Sequence, residues 1–291
     1  LSISGGNLGR SVANAHTTFK IIEVLFMFPC TPLVVALTEK IIPGEDQKVH
    51  HNELQYITEI SLKSPATMIP QAKNELKRMA DMAQENLDRS IKGFLNQSDE
   101  YLNKIYHREE DINNVSHAIT DYLVKSNQLS LPLADQKILG SMFYVVNDIE
   151  RIGDHAENFA DYTKTELKHN TGLTGDAKEE IKKMYEAVSK LLKLSLESFM
   201  AQDGVNTQED KLAEIAALEA SIDKMERRYQ KHHIKRLAKG DCEPRAGLLF
   251  SDMLSELERI ADHSVNIAYS MSDEDEDEML AAENEALATN N

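Results

Sequence analysis

Two segments of the chain share a pattern of residues that could bind a cation, Glu-Arg-Ile-x-Asp-His-x-x-Asn. The first copy holds Glu150, Asp154 and Asn158, and the second copy holds Glu258, Asp262 and Asn266. Residues four apart share one face of an α-helix, so each triplet would form a polar row. Carboxylates grouped in this way repel each other, and they need counter-charges, a bridging metal ion or exposure to water.

An apolar row runs beside each polar row at helical spacing. In the first copy it consists of Met142, Val145, Ile149, Ile152, Ala156 and Phe159, and in the second of Leu254, Leu257, Ile260, Ser264 and Ile267. The acids are therefore predicted to lie at the margin of a packed face and not on a solvated back.

Further acids precede each motif by about one helix, and an antiparallel bundle would bring them opposite the polar rows. The predicted ligands are Glu109, Glu150, Asp154, Glu219, Asp223, Glu258 and Asp262. Such an oxygen-rich set suits Fe, Mn, Mg or Zn. Asn113 stands where the second copy has Asp223, so the first site is one charge poorer. The alternative is a structural network in which Arg151 and Arg259 neutralise the same acids.

The other polar residues of the motifs are predicted to hydrogen-bond to the metal ligands and orient them, without binding the metal themselves. They are Asn158, Asn266, Arg151, Arg259, His155 and His263. For the two histidines a second interpretation stays open, in which each lies partly exposed at a seam between helices.

Six long windows with apolar residues at helical spacing would position these side chains. Their limits are 66–96, 98–126, 133–169, 174–200, 208–238 and 244–272. Three pairs of matching segments occur in the same order at a nearly constant offset, which indicates a duplicated three-helix unit. The predicted fold is all-α, with two tandem antiparallel three-helix bundles preceded by one apolar, transmembrane helix.

The domain limits follow from changes in composition. Residues 1–42 contain the apolar run 21–37, which is predicted to enter a membrane. Residues 43–65 are a polar linker, and the helical domain spans 66–272 with repeats 66–169 and 174–272. Residues 273–291 are an acidic tail, which is predicted to be solvated and disordered.

Composition and motifs limit the classes of function that the chain could have. A net charge of −17 argues against a nucleic-acid partner, because binding a phosphate backbone needs clustered Lys and Arg. No nucleophile elbow, phosphate-cradling glycine loop or dinucleotide fingerprint is present, so we do not expect an enzyme. The basic stretch Arg227–Arg236 is either a solvated face or a contact for an anionic partner or membrane surface.

The two motifs make residues 66–272 resemble the PhoU-like domain, which has two three-helix bundles with acidic motifs on the third helix of each. The resemblance implies a multinuclear metal site at Glu150, Asp154, Glu258 and Asp262.

The N-terminal part resembles the last membrane segment of the bacterial sodium/phosphate cotransporter family. The resemblance rests on Gly5-Gly6-Asn7, on Arg10-x-x-Ala13-x-Ala15-His16-x-x-Phe19 and on the apolar run with Pro29. Lys20 departs from that family, which has Asn there, and the paired Gln-Ser-Ser motifs for ion and phosphate transport would lie upstream of Leu1.

The resemblances imply the C-terminal regulatory part of a sodium-dependent phosphate transporter. It would lie in the inner (plasma) membrane through residues 21–37, with the helical domain in the cytoplasm. Sodium and phosphate would bind the upstream transporter domain, and the helical domain could form a homodimer. A stand-alone PhoU-type negative regulator of phosphate uptake and signalling is the first alternative. A metal-free helical dimerisation scaffold is the second.

Overall fold

Six long helices form the part of the chain that carries both motifs. They are α1 (Pro65–Leu95), α2 (Leu102–Asn127), α3 (Leu133–His169), α4 (Gly175–Met200), α5 (Val205–Lys239) and α6 (Pro244–Tyr269). Each of the three helices of a repeat packs against the other two, and the repeats meet where α3 packs on α6 and α1 on α4. The predicted all-α fold with two three-helix units is confirmed.

The computed structural model describes residues 16–25, 28, 54–58, 65–169, 172–201 and 205–270. Contacts divide the chain into one unit of residues 1–50 and another of residues 51–291. Most of the predicted apolar run 21–37, residues 5–15 of the cotransporter resemblance and the acidic tail 273–291 lie outside the described residues.

Residues 16–25 of the first unit are helical. Their large apolar side chains are exposed, including Phe19 at 63% and Leu25 at 70%. Among the described residues, no helix combines the length and the apolar character that crossing a membrane requires.

The apolar rows of α3 and α6 form the centre of the hydrophobic core. All of their members, from Met142 to Phe159 and from Leu254 to Ile267, are at most 1% exposed. The core is continuous through both repeats. Beside these rows, the motif acids Glu150, Asp154 and Glu258 are half-buried, as an edge position predicts, whereas Asp262 is exposed.

The turn between α5 and α6 fixes one end of the second bundle. Gly240 has φ +76°, a left-handed conformation that glycine adopts without strain. Its N–H donates to Leu237 O and that of Asp241 to Arg236 O, both at 3.0 Å, which closes the helix. Farther along, a Cβ on Gly247 would lie only 2.5 Å from the His233 ring. This glycine therefore permits a close approach of α6 to α5.

A short segment ahead of α1 is held on the first bundle. The fully buried Glu75 carboxylate accepts from the backbone N–H of Gln55 at 2.9 Å and of Tyr56 at 2.7 Å. Arg78 of the same helix pairs with the other oxygen of Glu75, and Ile57 is buried. The predicted linker 43–65 thus packs on α1 at its described residues.

Candidate metal centre

The first acidic cluster lies between α2 and α3. Burial raises the pKa of Glu109 to about 7, and the charges of Glu157, Asp154 and Glu150 raise it too, against a hydrogen bond from Asn113. Burial and the charge of Asp154 likewise raise the pKa of Glu150. The structure therefore brings together the three acids that the sequence predicts for this site.

Two oxygen atoms of this cluster lack partners within the described part of the chain. Glu109 Oε1 and Asn113 Oδ1 are buried and accept no hydrogen bond from any described residue. Leaving such an acceptor unpaired costs about 1–3 kcal/mol. Carboxylate and amide oxygens are ligands that hard cations bind, so these donor types suit a metal ion chemically.

Arg151 supplies part of the missing positive charge. Its Nη1 lies 3.1 Å from Asp154 Oδ2 and its Nε lies 3.8 Å from Glu150 Oε2. The Arg151 side chain is 53% exposed, so water screens its charge and the pairs are weak. The arginine–carboxylate pairs that the sequence offers as the alternative to a metal ion therefore form in the first repeat. They are too weak to cancel the repulsion between the acids.

The second acidic cluster lies between α5 and α6. Burial raises the pKa values of Glu219, Glu258 and Asp262, and for each of them the charge of Asp223 adds to the effect. Arg227 lies 3.4 Å from Asp223. All four acids that the sequence predicts for this site are thus electrostatically coupled.

Each cluster contains one acid that is not among the ligands predicted from the sequence. Glu157 raises the pKa of Glu109, and Glu226 raises that of Glu258. Each lies three residues after a predicted ligand, on the same helix face, but neither recurs in the other repeat. A search for acids at that spacing could have found them, whereas a search for repeated residues could not.

The described carboxylates do not converge into a preformed cage. Among the described residues, no group of three or more His, Cys, Asp or Glu side chains is arranged to hold a metal ion. The two clusters are therefore regions of unbalanced negative charge, and metal binding remains a prediction.

The histidines and asparagines of the motifs lie elsewhere, at the seam between α3 and α6. His155 Nδ1 makes a short contact with Glu256 Oε2 across this seam. Asn158 donates to the same oxygen at 3.1 Å, and Tyr162 donates to Glu256 Oε1 at 3.3 Å. Arg259, on the helix of Glu256, is 3.9 Å from its Oε1.

The second repeat makes the equivalent contacts to a carboxylate of the first repeat. His263 Nδ1 lies 2.8 Å from Asp148 Oδ1, and Asn266 donates to the same oxygen at 3.4 Å. The ring centroids of His155 and His263 are 5.5 Å apart. Each repeat thus binds a buried carboxylate of the other, in an approximately two-fold arrangement.

This seam corrects one expectation from the sequence. His155, His263, Asn158 and Asn266 form hydrogen bonds with Glu256 or Asp148, not with the acids of the motifs. The reason is that each asparagine lies three residues after its histidine, on the helix side that packs against the neighbouring repeat. The alternative of partly exposed histidines at a helix–helix seam describes His263, whereas His155 lies at the seam but is buried.

The seam also explains why the pKa values of two neighbouring carboxylates, Glu256 and Glu258, shift in opposite directions. Burial opposes ionisation of Glu256, but the hydrogen bonds from His155, Asn158 and Tyr162 and the charge of His155 outweigh it and lower its pKa. Glu258, two residues later, has a raised pKa. The ionised form of Glu256 is therefore stabilised by folding, whereas that of Glu258 is disfavoured.

We expect Glu256→Gln to lower the free energy of unfolding by about 2 kcal/mol at neutral pH, because the hydrogen bonds at the seam lose their charge. A lowered pKa stabilises the fold above the ordinary value of 4.5, and that contribution disappears as the pH falls through the folded-state pKa. Urea unfolding at about pH 7 and again well below the ordinary pKa of 4.5 measures both effects. Glu258→Gln is the matched control and should not destabilise. Equal losses for both variants would contradict the assignment.

We expect Glu109→Gln to stabilise the metal-free protein at about pH 8 by about 2 kcal/mol. Its raised pKa means that ionising Glu109 costs stability as the pH rises from its ordinary value of 4.5 through about 7. The variant removes that cost, so the gain should vanish near pH 4. Thermal unfolding of chelator-treated protein across this range measures it, with the exposed neighbour Glu110→Gln as control. A gain that does not depend on pH would contradict the explanation.

The sequence of the chain is similar to that of known proteins. The PhoU domain matches residues 76–163 and 181–271, one match for each repeat and together more than half of the chain. The PhoU homolog 1 of Thermotoga maritima, a phosphate-specific transport system accessory protein, is 20% identical over 67% of this chain and 82% of its own length. The homolog of Clostridium acetobutylicum is 23% identical over 68% and 87%.

A solved structure has the same fold. The crystal structure of the phosphate transport system regulatory protein PhoU from Streptococcus pneumoniae superposes with a TM-score of 0.61. It is 20% identical and covers 70% of this chain and 92% of its own. With both repeats matched in order, the chain belongs to the PhoU domain family.

Proposed function

We propose that the chain is a regulatory, non-catalytic accessory protein of phosphate transport. The single observation that carries the proposal is the match of both repeats to the PhoU domain, with an unbalanced acidic cluster at each repeated motif. The curated relatives bear the name of accessory proteins of a phosphate-specific transport system. The partner would therefore be a phosphate transport system and the mode of action binding.

We propose further that each acidic cluster binds metal ions. Glu109, Glu150 and Asp154 would hold the ion of the first repeat, with Glu157 close by. Glu219, Asp223, Glu258 and Asp262 would hold that of the second. The raised pKa values and the unpaired oxygens of Glu109 and Asn113 support this proposal. A bound cation would neutralise these acids, and the identity of the metal stays open among Fe, Mn, Mg and Zn.

A second candidate keeps the same domain but attaches it to a membrane transporter. On this proposal the domain regulates a sodium-dependent phosphate transporter from the cytoplasm. The observation that favours it is the exposure of the large apolar side chains of helix 16–25, which belongs to the unit of residues 1–50. The family match begins only at residue 76 and does not include this unit.

Phosphate uptake in the source organism tests both proposals. Deletion of the gene should leave uptake high when phosphate is plentiful, because a regulator of uptake has been lost. Loss of sodium-dependent uptake together with recovery of the protein in the membrane fraction would instead favour the second candidate. Unchanged uptake with the gene deleted would contradict both. Restoring the wild-type gene should restore wild-type uptake.

Metal titration of the purified chain tests the acidic clusters separately. Adding Fe, Mn, Mg or Zn to chelated protein should raise its melting temperature, since only the folded bundle presents the ligands together. At a concentration about 100 times the dissociation constant the gain is about 2.7 kcal/mol. Asp154→Asn with Asp262→Asn should abolish the gain and the bound metal. Asp121→Asn with Asp252→Asn removes the same charge from exposed positions and should preserve both. Equal metal content in the two double variants would reject the clusters as sites.

A further inference from the structure

The second half of α5 presents a basic face in a strongly acidic chain. The net charge of the chain is −17. Between residues 224 and 239, however, every exposed charged residue is a cation, and the one acid, Glu226, is partly buried. The basic face consists of Lys224, Arg227, Arg228, Lys231, Lys235 and Lys239. A local field opposite in sign to the net charge points to a specific anionic contact.

Several of these cations are free to meet a partner. Arg227 pairs with Asp223 at 3.4 Å, and Arg228 lies over the Tyr229 ring at 5.0 Å. By contrast, no described carboxylate forms an ion pair with Lys224, Lys231 or Lys239. These three ammonium groups can therefore approach an anionic surface without first breaking a pair to a described carboxylate.

Aliphatic side chains are exposed at the same end of the bundle. Ile234 is 62% exposed and Leu248 of α6 is 66% exposed. Ser251 of α6 donates to Gln230 of α5 at 3.0 Å, and Gly247 approaches His233. These contacts bring the start of α6 to the level of Ile234. Leu248 follows Gly247 directly, and Ile234 lies between Lys231 and Lys235 in the sequence, so both exposed side chains belong to the part of the bundle that carries the cations.

The first repeat has no counterpart of this face. At the six matching positions, 110 residues earlier, the first repeat carries Asn114, His117, Ala118, Asp121, Lys125 and Leu129. Only one cation is conserved between the repeats there, and an acid replaces Lys231. The duplicated unit therefore does not require the cations for its fold, and their concentration in the second repeat needs another cause.

The borders of the basic face are acidic. Lys235 faces a groove that also contains Asp176 and Glu179 of α4. Asp241 and Glu243 lie in the turn that follows α5. Lys224, Lys231 and Lys239 are the cations best suited to carry the contact, because they are not part of that groove.

We propose that this face docks on an anionic phospholipid bilayer. Lipid phosphates would contact the three lysines, and Ile234 and Leu248 would enter the boundary between headgroups and acyl chains. Cations beside exposed aliphatic side chains form the combination that binds such an interface. The proposal does not depend on metal binding or on the regulation of transport, because it uses residues of neither acidic cluster.

An acidic protein segment satisfies the charges less completely. It would pair with the lysines, but it offers no apolar phase for two side chains that are more than half exposed. A bilayer surface offers both anionic phosphates for the cations and an apolar phase for the aliphatic groups. The anionic bilayer is therefore the occupant that the observations favour.

A single tryptophan makes the contact measurable in the full chain, because the natural sequence contains none. Leu248→Trp places the probe on the proposed face. Its emission should shift to the blue with phosphatidylglycerol vesicles and not with phosphatidylcholine vesicles. Raising the salt to about 0.5 M should reverse the shift, because screening weakens the attraction. Leu133→Trp, at an exposed position of the first repeat, should show no shift.

Charge variants in the L248W background test the lysines. Lys224→Gln, Lys231→Gln and Lys239→Gln together should weaken the apparent vesicle affinity roughly hundredfold. Lys104→Gln, Lys125→Gln and Lys164→Gln remove the same charge from exposed positions of the first repeat and should leave the affinity unchanged. Equal shifts with both lipids, equal losses in both triple variants, or a shift with polyglutamate but not with vesicles would overturn the proposal.

Discussion

Two buried carboxylates join the repeats, and each is bound by side chains of the opposite repeat. Glu256 accepts from Asn158 and Tyr162 and contacts His155, while Asp148 contacts His263 and accepts from Asn266. A carboxylate removed from water is tolerated only where hydrogen bonds replace its hydration. The helices α3 and α6 can therefore pack only in the register that satisfies both acids. That register sets the relative position of the two repeats.

The same helices carry carboxylates in two opposite electrostatic states. Glu256 has donors on several sides and a lowered pKa, whereas Glu258 and Glu109 have acidic neighbours and raised pKa values. Structural ion pairs tend toward the first state, and sites awaiting a cation or a proton tend toward the second. The contrast separates the residues that hold the bundles together from those available for binding.

Duplication explains the symmetry of the molecule, and divergence explains its specialisation. The reciprocal seam is retained in both repeats, because losing either half would leave a buried acid without donors. Away from the seam the repeats differ. The first cluster gains Glu157 and the second gains Glu226, and the basic face occurs only on α5. These differences would let one half of a PhoU domain contact a surface while both halves keep their acidic clusters.

The sequence alone determined the helices, the duplication and the repeated acids of each cluster. Apolar periodicity and a repeated motif are local properties, and they also placed Met142 and Ile260 in the core. Only the tertiary structure paired His155 with Glu256 and His263 with Asp148, since these partners are about a hundred residues apart and on different bundles. It also added Glu157 and Glu226, which occur once each. A helix's own period shows which residues share a face, but the face that opposes it depends on how the two repeats pack.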